Sequence, residues 1–407
     1  MNQNTPPSPS LPSSLTSPTG AGSTGGRGDR TRRHNLSRVL TLLHRGAQRR
    51  SQLTAHTGLN RSTIAALVAE LTELGLAYES EPDPTRQVGR PSPMVNADAR
   101  TVAIAINPEI DAITVAVVGL DGSLLKRIRY ETDEPPTVAE FVKISSVIIE
   151  SLRGGYEANG RIVGIGVAAP GLVRVEDGLV RWAPHLHWRD EPVSELLAVA
   201  TGYPVSTAND ASLGALGEHI YGAGRDVDDL IYLNGGASGI GGGIIAGGRP
   251  LTGRAGYAGE FGHVRVENGA AEKGTREEGS LETEVNRADL LRALGLTNVD
   301  SETLDAALRG STDPEVGALV HRQLLSLGTS LRNAVNVLNP EVIVLGGFLA
   351  SIFAFDPEFL IERVRSQSLE ASFEEVQIVP AQLGADLLMI GAAELAFAAL
   401  LEDPAAL

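Results

Sequence analysis

At 407 residues the chain exceeds one ordinary domain and suggests two or three. It has no cysteine, which excludes disulfides, cysteine nucleophiles and thiolate metal sites, and no run of ~18 apolar residues that would span a membrane. The net charge of −16 hides an asymmetry: the first 100 residues carry 12 arginines against 7 acidic residues, and the rest carries 22 basic against 43 acidic. Any phosphate-binding surface therefore belongs to the N-terminal part.

Residues 1–26 are uncharged and rich in Ser, Pro, Gly and Thr. Such a segment buries too little apolar surface to offset its ordering entropy, so 1–30 is expected to be a disordered tail. A misassigned start codon explains it equally well. It has neither the basic start nor the apolar core of a secretory signal, and the absence of cysteine fits a reducing cytoplasm.

From Thr31 the pattern becomes helical. Leu36, Val39, Leu40 and Leu43 share one face and Gly46 ends the helix. Ser51 is expected to cap a short second helix through Thr57. After Gly58-Leu59, Asn60 caps a third, with Ile64, Leu67, Val68 and Leu71 on its inner face. Two short strands, around Leu76–Ser80 and Ser92–Asn96, flank a polar tip. Residues 31–96 thus read as a winged helix-turn-helix. Arg61, Ser62 and Thr63 open the third helix where side chains can donate to base edges and phosphates, and Arg90 at the wing tip can enter a minor groove. A generic three-helix domain for protein contacts is the alternative.

Ala97–Arg100 is a short junction. Strands at Thr101–Ile106, Ile113–Leu120 and Leu124–Tyr130, a helix around Val138–Leu152 and a buried strand Ile162–Ala168 follow. A second round begins near Asp229: strand Leu230–Asn234, a glycine-rich turn over 235–243, a long helix around Val316–Leu338 and strand Val342–Leu345. The fold class is α/β, with two subdomains behind the head. Subdomain one covers about 97–220 plus a C-terminal helix at 388–402, and subdomain two about 221–387.

The stretch Gly253–Glu282 carries the chemistry. Glu260 and Glu282 bracket His263 among glycines, and Asn209-Asp210 lies upstream. Carboxylates accept two or more hydroxyl hydrogen bonds, and an asparagine adds one acceptor and two donors, so this set suits a polyhydroxylated ligand. Each residue also has a plain structural use, Asp210 and Glu282 as caps at helix N-termini. His185, near Trp188, is expected to be a structural loop residue sooner than a ligand contact.

The blocks Ala258-Gly-Glu-Phe-Gly-His263 and Gly279-Ser-Leu-Glu282 occur with Ala169-Pro170-Gly171, Asn209-Asp210-Ala211, Gly239-Ile-Gly-Gly-Gly243 and Val344-Leu-Gly-Gly347. In this order, behind a helix-turn-helix, they resemble the ROK family of repressors, open reading frames and sugar kinases. The resemblance covers about 31–402. It implies the actin-like ATPase and sugar kinase (ribonuclease H-like) fold, with Asn209, Asp210, Glu260, His263 and Glu282 at the sugar-contacting positions.

Two departures bear on function. Kinase members carry an acidic residue and Gly-Gly-Thr at the first hairpin, where this chain has Asn107-Pro108-Glu109-Ile110-Asp111. Pro108 has no N–H, the two carboxylates repel a triphosphate and no glycine permits close approach. The family's three zinc cysteines fall on Lys273, Thr275 and Ser280. No metal and no cofactor are expected, and some other contact must orient His263. The expectation is a sugar-responsive transcriptional regulator without catalytic residues. Its partners are operator DNA, a sugar effector and a second or fourth copy of itself, with no membrane. A sugar kinase with a fused DNA-binding head is the alternative, and a constitutive DNA-binding protein with a dead pocket a third reading.

Overall fold

The structure, a computed structural model, describes residues 25–81, 93–236, 239–266, 279–297 and 299–406. The head comprises α1 (Gly25–His44), β1 (Gln48–Arg49), α2 (Arg50–Thr57), α3 (Arg61–Glu73), β2 (Ala77–Ser80) and β3 (Met94–Ala97), its strands ordered β1-β3-β2. Two details correct the sequence reading. First, α1 starts at Gly25, so residues 25–30 belong to a helix and not to a disordered tail; Asp29 pairs with Arg33 one turn on, at 3.5 Å. Second, Ser51 does not cap α2. The helix starts one residue earlier, and the Gln52 side-chain oxygen accepts from the Arg49 N–H at 2.8 Å. Asn60 does cap α3, accepting from Thr63 N–H at 2.9 Å.

The body is one topology used twice. The first round contains β4 (Thr101–Pro108), β5 (Ala112–Gly119), β6 (Leu124–Glu131), α4 (Val138–Glu157) and β7 (Arg161–Ala169). It continues through β8 (Leu172–Arg174), β9 (Leu179–Ala183), β10 (Trp188–Glu191), α5 (Val193–Thr201), β11 (Val205–Asn209) and α6 (Asp210–Tyr221). The second contains β12 (Leu230–Gly236), β13 (Gly239–Ala246), β14 (Arg249–Pro250), α7 (Leu281–Glu284), α8 (Arg287–Leu294), α9 (Ser301–Gly310) and α10 (Pro314–Leu338). Then come β15 (Val342–Gly347), α11 (Phe348–Phe355), α12 (Pro357–Gln367), α13 (Glu370–Phe373), β16 (Gln377–Pro380) and α14 (Leu387–Glu402).

The two five-stranded sheets have orders β11-β7-β4-β5-β6 and β16-β15-β12-β13-β14. In each, an antiparallel meander of three strands is extended by two parallel strands added beside the first. The glycine-rich stretch is a further correction. Gly239–Gly243 is not a turn but the start of β13, paired residue by residue with Gly236–Tyr232. Glycines there let α6 lie close, and a Cβ on Gly243 would come within 2.6 Å of the Ala215 methyl. The body has a third, small sheet, β10-β9-β8, beside its first, and no strand was expected there.

The helix α14 has the length and hydropathy to cross a membrane by composition alone. Here it is a core helix, packed on β7, β4 and α6 and carrying a buried glutamate, Glu394, at its middle. Glu394 meets His44, the last residue of α1. His44 is 1% exposed, with Nε2 2.9 Å from Glu394 and Nδ1 2.5 Å from the Leu120 carbonyl. Both ring nitrogens face acceptors that cannot donate, so the ring is held as imidazolium. Burial alone would lower its pKa. The Glu394 charge and hydrogen bond and the Leu120 carbonyl outweigh that and raise it.

Around this pair one apolar cluster runs through both parts: Leu36, Leu40, Leu43, Ile64 and Leu71 of the head with Ala105, Val118, Phe397 and Leu400 of the body. Ser37 donates to the Leu401 carbonyl at 2.6 Å, and Tyr221 donates to the His44 carbonyl at 3.1 Å. Asp98 N–H donates to the Leu76 carbonyl at 3.0 Å, tying the junction to the head. The head is docked, not merely tethered.

The closeness of α14 to β7 can be checked with a pair of substitutions. A Cβ on Gly166 would lie 1.7 Å from the Ala392 carbonyl oxygen, whereas one on Gly154, in α4, meets nothing within 4 Å. Gly166→Ala is expected to lower stability by about 1–3 kcal/mol or more through forced separation of α14 from the sheet. Gly154→Ala should raise it by roughly 0.5–1 kcal/mol through lost unfolded-state entropy and better helix propensity. Denaturant unfolding of the two variants measures both signs.

Candidate functional site

A cavity of about 550 Å³ lies between the two subdomains. Subdomain one supplies Pro170-Gly171 after β7, Asn209 and Asp210 at the β11–α6 step, and Trp182 and His185 from the small sheet. Subdomain two supplies Asn234, Gly239, Glu260, His263 and Glu282. All five residues singled out in the sequence for a polyhydroxylated ligand therefore line one space. His185 lines it as well, against the expectation of a structural role. Sequence reasoning missed Trp182 and Asn234. A signal existed for Asn234, a polar residue near the carboxyl end of a strand, where open α/β sheets take their ligands.

The β11–α6 step builds one wall. The Asn209 side-chain oxygen caps α6, accepting from Ser212 N–H at 2.9 Å. Its amide nitrogen donates to the Gly171 carbonyl at 3.0 Å and to Asp210 Oδ1 at 3.1 Å. Both donors expected to reach a ligand are thus engaged within the protein, and Asn209 is the helix cap that the sequence reading gave to Asp210. Asp210 sits in the first turn, with Oδ1 accepting from Ala211 N–H at 2.8 Å. Burial, then the charge of Glu260, push its pKa up to about 6, so it remains largely ionised at neutral pH.

The facing wall is built from residues 253–266 and the start of α7. His263 Nδ1 lies 3.3 Å from Glu282 Oε1, and Nε2 lies 4.0 Å from Glu260 Oε2. Burial raises the pKa of Glu260 and the Glu282 charge adds to this, while His263 opposes it. Two glycines make room for the Glu282 carboxylate. A Cβ on Gly239, whose φ is +136°, would lie 2.6 Å from Glu282 Oε2, and one on Gly262 would meet the same oxygen at 3.1 Å and the Ile240 carbonyl at 2.2 Å. The motif glycines are therefore the space in which the acid lies.

A zinc ion does not fit this wall. The chain has no thiolate, His263 is turned to Glu282, and Ser280 is 3% exposed with its hydroxyl 3.2 Å from that of Thr283. Lys273 and Thr275 lie outside the described residues. Among the described residues no group of three His, Asp or Glu side chains is spaced to hold a metal.

The turn that replaces the phosphate-binding hairpin is locked. Because β4 runs parallel to β7, its carboxyl end lies at the same edge as Pro170-Gly171. There Glu109 N–H donates to the Ala112 carbonyl at 2.7 Å and Thr114 donates to Glu109 at 2.6 Å. One guanidinium, Arg129, lies 3.5, 2.9 and 3.3 Å from Glu109, Asp111 and Glu131, so the turn stays net negative.

In the head, Arg61 and Ser62 are exposed at the start of α3 and Thr63 is half-buried. Ser62 donates to the Asn60 side chain at 2.7 Å, so its hydroxyl is partly engaged by the cap. Ala65, Ala66 and Ala69 continue the outer face, small enough for a helix to lie deep in a groove. Arg32 pairs with Glu70 and Arg50 with Glu79, whereas Arg61 and Arg38 make no ion pair among the described residues. Arg90 lies outside the described residues.

Residues 103–399 match the ROK family. The chain is 27% identical over 402 residues to the xylose repressor of Caldicellulosiruptor bescii, covering 93% of this chain and 99% of that one. Among solved structures, a ROK family transcriptional regulator homologous to the E. coli MLC protein aligns with a TM-score of 0.75 at 24% identity, covering 92% and 98% of the two chains. The ROK hexokinase of Thermus thermophilus aligns at 0.60 and 30% identity over 74% of this chain and 99% of its own. The hexokinase is thus matched whole by a part of this chain, while the two regulators are matched along nearly all of it. By the reach of the family pattern and by these full-length matches, the chain belongs to the ROK family.

Proposed function

We propose that this chain is a sugar-responsive transcriptional regulator, a repressor of carbohydrate uptake or catabolism genes, with no kinase activity of its own. One observation carries the reading: a cavity lined by Asp210, Glu260, His263 and Glu282 is joined by a single rigid helix to a docked DNA-binding head. The carboxylates accept sugar hydroxyls, and His263, held by Glu282, presents its other nitrogen. Asn209 fixes Asp210 and caps α6. The head places α3 in the major groove and Arg61 toward base edges. A homodimer, or a dimer of dimers, matches half-sites ~34 Å apart. The repressor name of the relative matched along its whole length agrees with this.

The coupling follows from the packing. At its N-terminus α6 carries Asp210, and at its C-terminus Tyr221, whose hydroxyl meets His44 of α1. Twelve residues of helix span roughly 18 Å at 1.5 Å each. A sugar that draws the subdomains together moves α6 against α14, and the His44 contacts pass that movement to the head. The sugar shifts operator affinity only by its differential affinity for the two arrangements.

In fluorescence anisotropy with operator DNA, Arg61→Ala should weaken binding by about 1–3 kcal/mol, roughly 5- to 150-fold. Log affinity should fall with log salt. Glu260→Ala should keep DNA binding and lose the sugar response. Salt-independent binding by the intact protein would sink the regulator reading.

The rival reading is a sugar kinase, and a coupled assay with ATP and a hexose panel separates the two. No turnover is expected, since Pro108 offers a triphosphate no N–H and the carboxylates of the turn outnumber the single Arg129 guanidinium. Clear turnover that Asp210→Asn abolishes would overturn the assignment.

The path through α6 has its own test. Tyr221→Phe should leave sugar affinity and sugar-free operator affinity within about two-fold, yet bring the ratio of operator affinities with and without sugar toward one. An unchanged ratio would remove Tyr221 from the coupling.

A further inference from the structure

The polar cavity does not end at Trp182. A second cavity of about 560 Å³ adjoins it, and Leu172 and Trp182 line both. Its remaining walls are Arg181, Arg189, Asp190 and Tyr257. We propose that this cavity is a second subsite that takes the next ring of a neutral glycoside, so that the effector is a disaccharide or longer. The proposal rests on the sugar-binding reading above and deepens it.

The lining fits a sugar ring. A pyranose has flat C–H faces and a rim of hydroxyls, so it stacks on an aromatic plane and hydrogen-bonds at its edge. Trp182 stands at the boundary of the two spaces and is 44% exposed, although it is among the largest side chains in the protein. Tyr257 faces the same space from the other subdomain. Such amphipathic rings are the usual anchors where one surface of a ligand is apolar and its rim is polar. Arg181 is locked onto Asp190. Arg189 is exposed and has no ion pair among the described residues, which leaves its five N–H groups for ligand oxygens.

Charge decides between neutral and phosphorylated ligands. Asp210, Glu260 and Glu282 make the first cavity anionic, and a phosphate at its mouth would face three carboxylates. The Arg181–Asp190 pair cancels internally, so Arg189 alone would have to offset them. A neutral glycoside meets no such penalty.

The subsite also lies where closure acts. Val175 N–H, just after β8, donates to the Ala255 carbonyl at 3.4 Å, so the small sheet of subdomain one touches the loop of subdomain two that bears Tyr257. A ligand reaching from Asp210 to Tyr257 contacts both subdomains at two places.

Isothermal titration of the full-length protein tests this with glucose and xylose, with cellobiose, xylobiose, maltose and melibiose, and with glucose 6-phosphate. At least one disaccharide should bind about ten-fold more tightly than its monosaccharide, the order of one well-placed aromatic contact. Tyr257→Ala and Arg189→Ala should each remove that advantage and leave monosaccharide affinity unchanged. Monosaccharides that bind at least as well as every disaccharide would overturn the subsite and leave the sugar-sensing reading standing. Tightest binding of glucose 6-phosphate, lost in Arg189→Ala, would overturn it in favour of a phosphate site. Binding of none of these probes would bring down both readings together.

Discussion

A charged pair buried in an apolar cluster fixes the arrangement of this protein. The imidazolium of His44 ends the first helix of the head, and the carboxylate of Glu394 lies in the middle of a core helix of the body. Either group alone would be an uncompensated buried charge costing several kcal/mol, so each constrains where the other can be. Hydrophobic contact between Leu40, Leu43, Phe397 and Leu400 supplies area but little direction. The pair and the Leu120 carbonyl supply the direction. The head is therefore a rigid extension of the C-terminal helix, and its orientation changes only when α14 or α6 moves.

Function as a sensor depends on the same geometry. The helix α6 lies against β13 and against α14, with almost no space on either side. A Cβ on Gly391 of α14 would lie 2.2 Å from the Leu213 carbonyl, and one on Gly214 of α6 would lie 2.6 Å from the Tyr232 ring. A helix so tightly enclosed transmits displacement instead of absorbing it, because close-packed interiors are stiff. Asp210, which lines the cavity, and Tyr221, which meets the head, are opposite ends of that one element. A junction of four residues between head and body would have sufficed for connection, but it would not have conveyed an angle.

Much of this was legible in the sequence for definite physical reasons. The 3.6-residue spacing of Leu36, Val39, Leu40 and Leu43, the Asn60 cap and the charge asymmetry marked the head. Alternation and turn signals marked β4 to β6, and the Ala-Gly-Glu-Phe-Gly-His block led to the cavity. What stayed hidden depends on partners distant in sequence. The glycines within 239–243 read as a turn because glycine composition is a local signal, whereas the approach of α6 from another part of the chain is what requires them. The strands β8 to β10 are three to five residues long, too short for a periodicity, so Trp182 and His185 had no element to sit on. Asn209 looked like a free donor because a sequence does not tell which of its hydrogen bonds are already made. Nothing in the sequence marked His44, since its partner lies 350 residues away.

The wall formed by Glu260, His263 and Glu282 orients its imidazole through a carboxylate. A metal ion would fix an imidazole rigidly and add positive charge next to two carboxylates. Here Glu282 takes the orienting role through a single contact at 3.3 Å, and His263 remains about half exposed. That arrangement is softer, and it commits one carboxylate oxygen that could otherwise accept from a ligand. Burial raises the pKa of Glu260, and the neighbouring Glu282 charge adds to it. Affinity must come from elsewhere in the cleft, and the large exposed apolar surfaces next to the cavity are Trp182 and its neighbours on the small sheet. The proposed coupling requires closure on the ligand strong enough to move α6, and the aromatic rim is the surface that can add to it.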